Sequence, residues 1–267
     1  MSTLNPRLGV STWSLHKSIA AGTPLLEIPA QTAAHGLSKL EVCHFHFPST
    51  DTDYLAQFRD ALESVSVEFY TLLIDEGDLT HPDPAERQKV IAMMKRWIEV
   101  AAACGAKRVR VIAGDAAPSE AALALCQSGL NEVLRHADAH GIRVVVENWH
   151  PLLDHPAEVI SLLERMQGRV GLKMDFGNWS GDRKFTDLPK IAALAECTHA
   201  KASFASPGEM NREDFTRCLD ICRDANFAGP HILIFDSPGD EWESLDQMRE
   251  FVRSYLASPE LGAGGRA

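Results

Sequence analysis

The sequence predicts one α/β domain, a single (β/α)8 TIM barrel, from three observations. Eight short β-rich runs recur along the 267 residues, and amphipathic helical stretches lie between them. No G-x-G-x-x-G or Walker-type glycine loop follows any run, which argues against a doubly wound nucleotide-binding sheet. The runs are about 32 residues apart, the length of a βαβ unit, and eight such units fill a barrel of about 250 residues.

The expected strands are Leu8–Ser11, Lys39–Cys43, Glu68–Leu73, Arg108–Ile112, Arg143–Glu147, Val170–Asp175, His199–Ser203 and Ile232–Asp236. The clearest helix covers Ala85–Cys104, with Val90, Met94, Trp97, Ile98 and Ala101 along one face. Asp83 suits its N-cap and Pro84 its first position. Glu86 completes an Asp-x-x-Glu capping box, and Gly105 suits the residue after the helix. Ser119–His140 reads in the same way, closed by Gly141, and Arg212–Asn226 forms a further helix with Cys218 and Cys222 on one face. The barrel is expected over residues 1–256. The small, glycine-rich residues 257–267 read as a flexible tail.

Composition excludes several classes. The formal charge is −11, from 37 acidic and 26 basic residues. Such a surface cannot displace counterions from nucleic acid or bind anionic lipid without specificity. No apolar run approaches the ~20 residues of a spanning helix, and the first residues lack the apolar core of a signal peptide. The six cysteines are scattered, with no C-x-x-C, so they read as reduced buried thiols of a cytoplasmic protein. A homo-oligomer stays open.

Strands buried on both faces should be continuously apolar. Here Glu147, Asp175 and Asp236 close theirs, while His199 and Lys201 lie in Thr198-His-Ala-Lys-Ala-Ser. The ends of barrel strands form the catalytic face. With side chains alternating inward and outward, Glu147, Asp175, His199 and Asp236 meet at the mouth. Buried charges need a partner or a metal. Three carboxylates and one imidazole suit Mn²⁺, Mg²⁺ or Co²⁺ better than a tight zinc site. The competing reading is a set of salt bridges, Glu147 with Lys173 and Asp236 with Lys201. Arg110 and Glu41 are expected to form a buried pair.

Several segments together carry a family resemblance. They are Gly9-Val-Ser-Thr-Trp-Ser, Leu40-Glu-Val, Leu73-Ile-Asp-Glu-Gly-Asp-Leu-Thr, Arg108-Val-Arg-Val, Val146-Glu-Asn, Asp175-Phe-Gly-Asn and His199-Ala-Lys. On these the chain resembles the sugar isomerase/epimerase-like barrels related to xylose isomerase. The resemblance implies a divalent metal held by Glu147, Asp175 and His199, with a fourth ligand where the family usually has Glu and this chain has Asp236. It also implies that the metal stabilises an enediolate while two carboxylates, Glu147 and Asp236, move the proton. The same parts would serve β-elimination or dehydration of a keto-sugar or keto-glycoside.

Other residues take supporting roles. Lys201 could steady an oxyanion or donate a proton. His150, three residues after Glu147, and His46, just past the second strand, are the favoured loop histidines. Asn148 and Asn178 could orient the carboxylates. Trp13, Trp149, Trp179 and Trp242 follow predicted strands one, five, six and eight, which suggests a wide aromatic pocket for a sugar, glycoside or aryl-bearing substrate. The acidic loop Ser237-Pro-Gly-Asp-Glu-Trp-Glu argues against a phosphate group. A glycoside hydrolase would leave Asp175 and His199 without a role, an endonuclease conflicts with the charge, and a non-enzymatic sugar-binding protein is the other class of reading.

Overall fold

In a computed structural model that describes residues 4–257, the eight runs become parallel strands closed into one ring. The strands are β1 (Asn5–Ser11), β2 (Leu37–Cys43), β3 (Glu68–Leu73), β4 (Arg108–Arg110), β5 (Arg143–Glu147), β6 (Gly171–Asp175) and β7 (Ala195–Lys201). A hairpin of β8 (Phe204–Ser206) and β9 (Glu209–Met210) stands outside the ring, and β10 (His231–Ile234) completes it beside β1. The chain is a single (β/α)8 TIM barrel. The hairpin is absent from the sequence expectation because its strands are short and mostly exposed, so they carry no apolar pattern.

The outer layer is built from α1 (His16–Ala20), α2 (Ile28–Ala34), α3 (Thr52–Ser64), α4 (Pro84–Ala103) and α5 (Glu120–Ala139), then α6 (Pro156–Met166), α7 (Gly181–Ile191), α8 (Arg212–Asp224) and α9 (Glu241–Ala257). α4 buries Ile91, Met94, Ile98 and Ala101 against the sheet, with Val90 and Trp97 at the margin. Asp83 accepts from the Ala85 N–H at 2.8 Å, as its N-cap role requires. The capping box does not close. The Asp83 N–H bonds the His81 ring instead, and Glu86 pairs with Lys89 at 2.7 Å. Cys218 and Cys222 do share the buried face of α8, and all six cysteines are buried and unpaired.

Three strands stop earlier than expected, β4, β10 and also β7, which ends at Lys201 rather than Ser203. β4 ends at Arg110 rather than Ile112, and the chain then passes Gly114, where a Cβ would lie 2.4 Å from the Thr80 side chain. β10 ends at Ile234 because Ser14 takes over its ladder. The Ser14 hydroxyl accepts from the Phe235 N–H at 2.9 Å and donates to the Leu233 carbonyl at 3.3 Å. Asp236 therefore lies in a loop, two residues past the strand. The residues expected as a C-terminal tail fall, after Ala257, outside the described residues. Among the described residues, no helix is long and apolar enough to cross a membrane.

His231 begins β10 inside this structure, 1% exposed, with Nδ1 2.9 Å from the Thr198 hydroxyl. Burial, aided by Arg7, lowers its pKa to about 3, against ~6.5 in an unfolded chain. The unfolded state therefore binds a proton that the native state refuses, and stability falls as pH drops below 6.5. Between pH 7 and pH 5 the wild type should lose about 2 kcal/mol more than His231→Gln. Urea midpoints at the two pH values test this, and parallel losses would show that His231 does not titrate as its burial requires.

Candidate functional site

β5, β6 and β7 are neighbours in the ring, so their C-terminal ends set Glu147, Asp175 and His199 side by side. His199 Nδ1 lies 3.4 Å from Glu147 Oε1 and 3.5 Å from Asp175 Oδ2. All three side chains are buried, and each offers one ligand atom within 4.8 Å of the others. Asp175 Oδ1 accepts the Gly177 and Asn178 N–H groups at 2.5 and 2.8 Å, which leaves Oδ2 turned to the histidine. Asn178 also donates to Glu147 Oε1 at 2.8 Å. Asn148 grips the Asp175 backbone rather than its carboxylate.

Glu41 stands behind His199, reaching across the ring from β2. Its Oε2 accepts from His199 Nε2 at 2.7 Å, and its Oε1 accepts from Lys173 Nζ. With Nε2–H tied to Glu41, Nδ1 is the nitrogen that faces the two carboxylates. Glu147 is held from its other side by Arg110, whose Nε lies 3.1 Å from Oε2, and Arg110 also donates to Asp75. The expected Arg110–Glu41 and Glu147–Lys173 pairs are thus both replaced. Each cation bonds the carboxylate that the barrel's stagger brings to it.

These charges set the protonation states. Burial pushes the Glu147 carboxyl up, but His199, Arg110 and Lys173 outweigh it and bring the pKa to about 2. Burial likewise pushes Glu41 up, and Lys173 and His199 pull it down to about 2. Burial and Lys173 disfavour a charged His199, yet Glu147, Glu41 and Asp175 hold it well above the usual imidazole range.

The donor set fits a divalent ion on three counts. Ligand atoms sharing an ion at ~2.1 Å lie about 3.0–3.4 Å apart, close to the spacings around His199 Nδ1. Glu147 Oε2 is buried and, apart from the ion pair with Arg110, makes no hydrogen bond in the protein. Four carboxylates, Glu41, Asp75, Glu147 and Asp175, face only two permanent cations, Lys173 and Arg110. A divalent ion beside a neutral His199 would balance them, and a proton on His199 is the partial substitute.

The cavity above the triad measures about 220 Å³ and is lined also by Trp13, Asp75, Arg110, Trp149, Asn178, Lys201 and Asp236. Asp236 does not join the ligand group. It pairs with Lys201 at 2.9 Å, which lowers its pKa against the effect of burial. Five sequence candidates do not line the cavity, Asn148 on the Asp175 backbone and four others. His150 bonds Asp115 at 2.6 Å, and His46 bonds the Thr12 hydroxyl at 2.8 Å. Trp179 is 2% exposed within the hydrophobic core. Trp242 stacks on His35 at 4.0 Å and donates to Gln31, because it belongs to α9 rather than to the loop before it. Asp75 is a lining residue that sequence reasoning gave no role. It is a polar residue just past β3, the same signal that marked Glu147 and Asp175.

Comparison with curated proteins by sequence finds no match. Among solved structures, the chain superposes on L-ribulose 3-epimerase with a TM-score of 0.72 and 14% identity, covering 95% of this chain and 99% of that one. It superposes on D-psicose 3-epimerase from Clostridium cellulolyticum H10 with a TM-score of 0.71 and 12% identity, covering 94% and 99%. For 3-keto-D-glucoside 4-epimerase from E. coli the values are 0.68 and 13%, covering 94% and 100%. Identities this low establish a shared fold. A family profile described as the xylose isomerase-like TIM barrel matches residues 29–255, and the chain belongs to that family.

Proposed function

We propose that the chain is a divalent-metal-dependent sugar isomerase or epimerase that moves a proton next to a substrate carbonyl. The observation that supports this most strongly is the convergence of Glu147, Asp175 and His199 at the barrel mouth, with Glu41 fixing the nitrogen that His199 presents. The names of its structural neighbours, epimerases of ribulose, psicose and a keto-glucoside, support a small carbohydrate or glycoside as substrate. The six buried, unpaired thiols support a reducing, cytoplasmic setting.

A bound Mn²⁺, Mg²⁺ or Co²⁺ on Glu147, Asp175 and His199 would supply a Lewis acid that acidifies the C–H beside a carbonyl. Glu147 is the base on one side of the substrate. Arg110 and Asn178 hold its carboxylate in place, and the surrounding cations keep it ionised at neutral pH. Asp236 and Lys201 form the opposing proton-transfer pair across the cavity. Asp236, one methylene shorter than the family's Glu and held by Lys201, acts as acid–base partner without ligating the metal directly. Trp13 and Trp149 line the cavity and offer faces for the C–H side of a sugar. His150 keeps at most a supporting part through its bond to Asp115.

One observation favours a second reading, a metal-dependent lyase or dehydratase. The Lys201 ammonium lines the cavity beside Asp236 and could protonate a departing oxygen.

Purified protein should carry about one Mn²⁺, Mg²⁺ or Co²⁺ per chain at the mouth, and Glu147→Gln should lower that occupancy. Glu41→Gln, which touches no ligand position, should weaken metal binding by about 10–100-fold. Fully active metal-free wild type, measured after chelation and elemental analysis, would remove the site from the mechanism. In heavy water, keto-sugars or keto-glycosides should gain deuterium at the carbon next to the carbonyl, and loss of a leaving group without exchange selects the lyase. Asp236→Ala should lower kcat by about 10²-fold or more with little change in KM, and unchanged turnover would exclude it from proton transfer.

A further inference from the structure

Away from the mouth, a second group of ligand-type side chains joins two helices of the outer layer. Glu99 lies near the C-terminal end of α4, His136 near that of α5, and His140 is the C-cap of α5. One ligand atom from each lies within 4.8 Å of the others. His136 and His140 are four residues apart, so they share a helix face, with ring centroids 4.5 Å apart.

Their contacts differ from those of an ordinary hydrogen-bonded ion pair. His136 Nε2 lies 3.0 Å from Glu99 Oε1, yet it makes no hydrogen bond although it is buried from solvent. At that distance the missing hydrogen bond means that nitrogen and oxygen are not aligned on each other. The His140 ring is tethered through Nδ1, 2.9 Å from the His136 carbonyl. That contact selects the tautomer with Nδ1 protonated and the Nε2 lone pair free, as a backbone carbonyl does for metal-bound histidines. The negative ends of two helix dipoles, α4 and α5, also meet at this place.

We propose that Glu99, His136 and His140 form a second metal site, for a borderline divalent ion such as Zn²⁺, which fastens α4 to α5. Two imidazoles and one carboxylate are a zinc donor set that leaves a fourth position to water. The mouth, with two carboxylates and one imidazole, suits harder ions, so donor chemistry sorts the two sites. In this barrel the helices run back from the mouth, so the second site lies at the opposite end and is independent of catalysis.

The test uses the full chain, Zn²⁺ alone as the probe, and isothermal titration at neutral pH. Asp175→Asn disables the mouth, and in that background about one Zn²⁺ per chain should still bind and raise Tm. Adding His140→Ala should weaken that binding by at least about tenfold and remove the rise in Tm. Glu99→Gln, at an exposed position, should weaken it as well. In the wild-type background, His140→Ala alone should lower zinc stoichiometry by one without touching the mouth. Zinc binding that is absent in Asp175→Asn, or that is unchanged when His140→Ala is added, overturns the proposal.

Discussion

The buried ion chain Lys173–Glu41–His199 is the constraint on which the rest of the site depends. It crosses the inside of the ring, joining β6, β2 and β7, and its members are at most 6% exposed. Burying such groups costs several kcal/mol per ion, and a well-packed apolar filling is often more stable. The chain is therefore poorly explained as a stabilising device. Its geometry explains it better. Lys173 keeps Glu41 ionised, Glu41 takes the Nε2–H, and His199 is left with Nδ1 toward Glu147 and Asp175. Remove Glu41, and the imidazole could rotate or change tautomer without any ligand having been touched.

The same cluster is short of positive charge. Arg110 serves Glu147 and Asp75 together, Lys173 serves Glu41, and Asp175 has only backbone N–H groups and His199. In the protein alone, a proton on His199 supplies part of the missing charge. An ion with two charges would supply all of it and would release that proton, as metal sites with histidine ligands do. Electrostatics and ligand spacing are both compatible with the divalent ion proposed for this site.

Much of the fold was legible in the sequence because parallel strands leave a strong signal, short apolar runs at an even spacing. The ligand candidates were legible for the complementary reason, since Glu147, Asp175 and His199 break that apolar rule at strand ends. What the sequence could not show was pairing across the barrel. Glu41 was expected beside Arg110, yet which residues meet inside a closed ring depends on stagger between strands that are distant in sequence. The tryptophans failed differently. Trp179 and Trp242 follow strands in sequence as Trp13 does, but Trp179 turns into the core and Trp242 joins the first turn of α9. Position after a strand locates a residue near the mouth without saying which way it points.

The acidic loop after β10 bears on a phosphorylated substrate through its hydrogen bonds more than through its charge. Its net negative charge argues against a phosphorylated substrate. In the structure Glu241 is buried, and its oxygens accept the Lys17 and Ser18 N–H groups of α1 at 2.8 and 3.0 Å. Asp240 accepts the Glu243 N–H at 2.8 Å at the start of α9. Free N–H groups at helix starts near the last strands are the usual phosphate cradle of a barrel. Here the chain's own carboxylates already fill these two. A phosphate would have to displace a buried Glu241 from three hydrogen bonds, including that of the Ser18 hydroxyl at 2.5 Å. Occupied donors of this kind are not weakened by salt as a diffuse surface charge is.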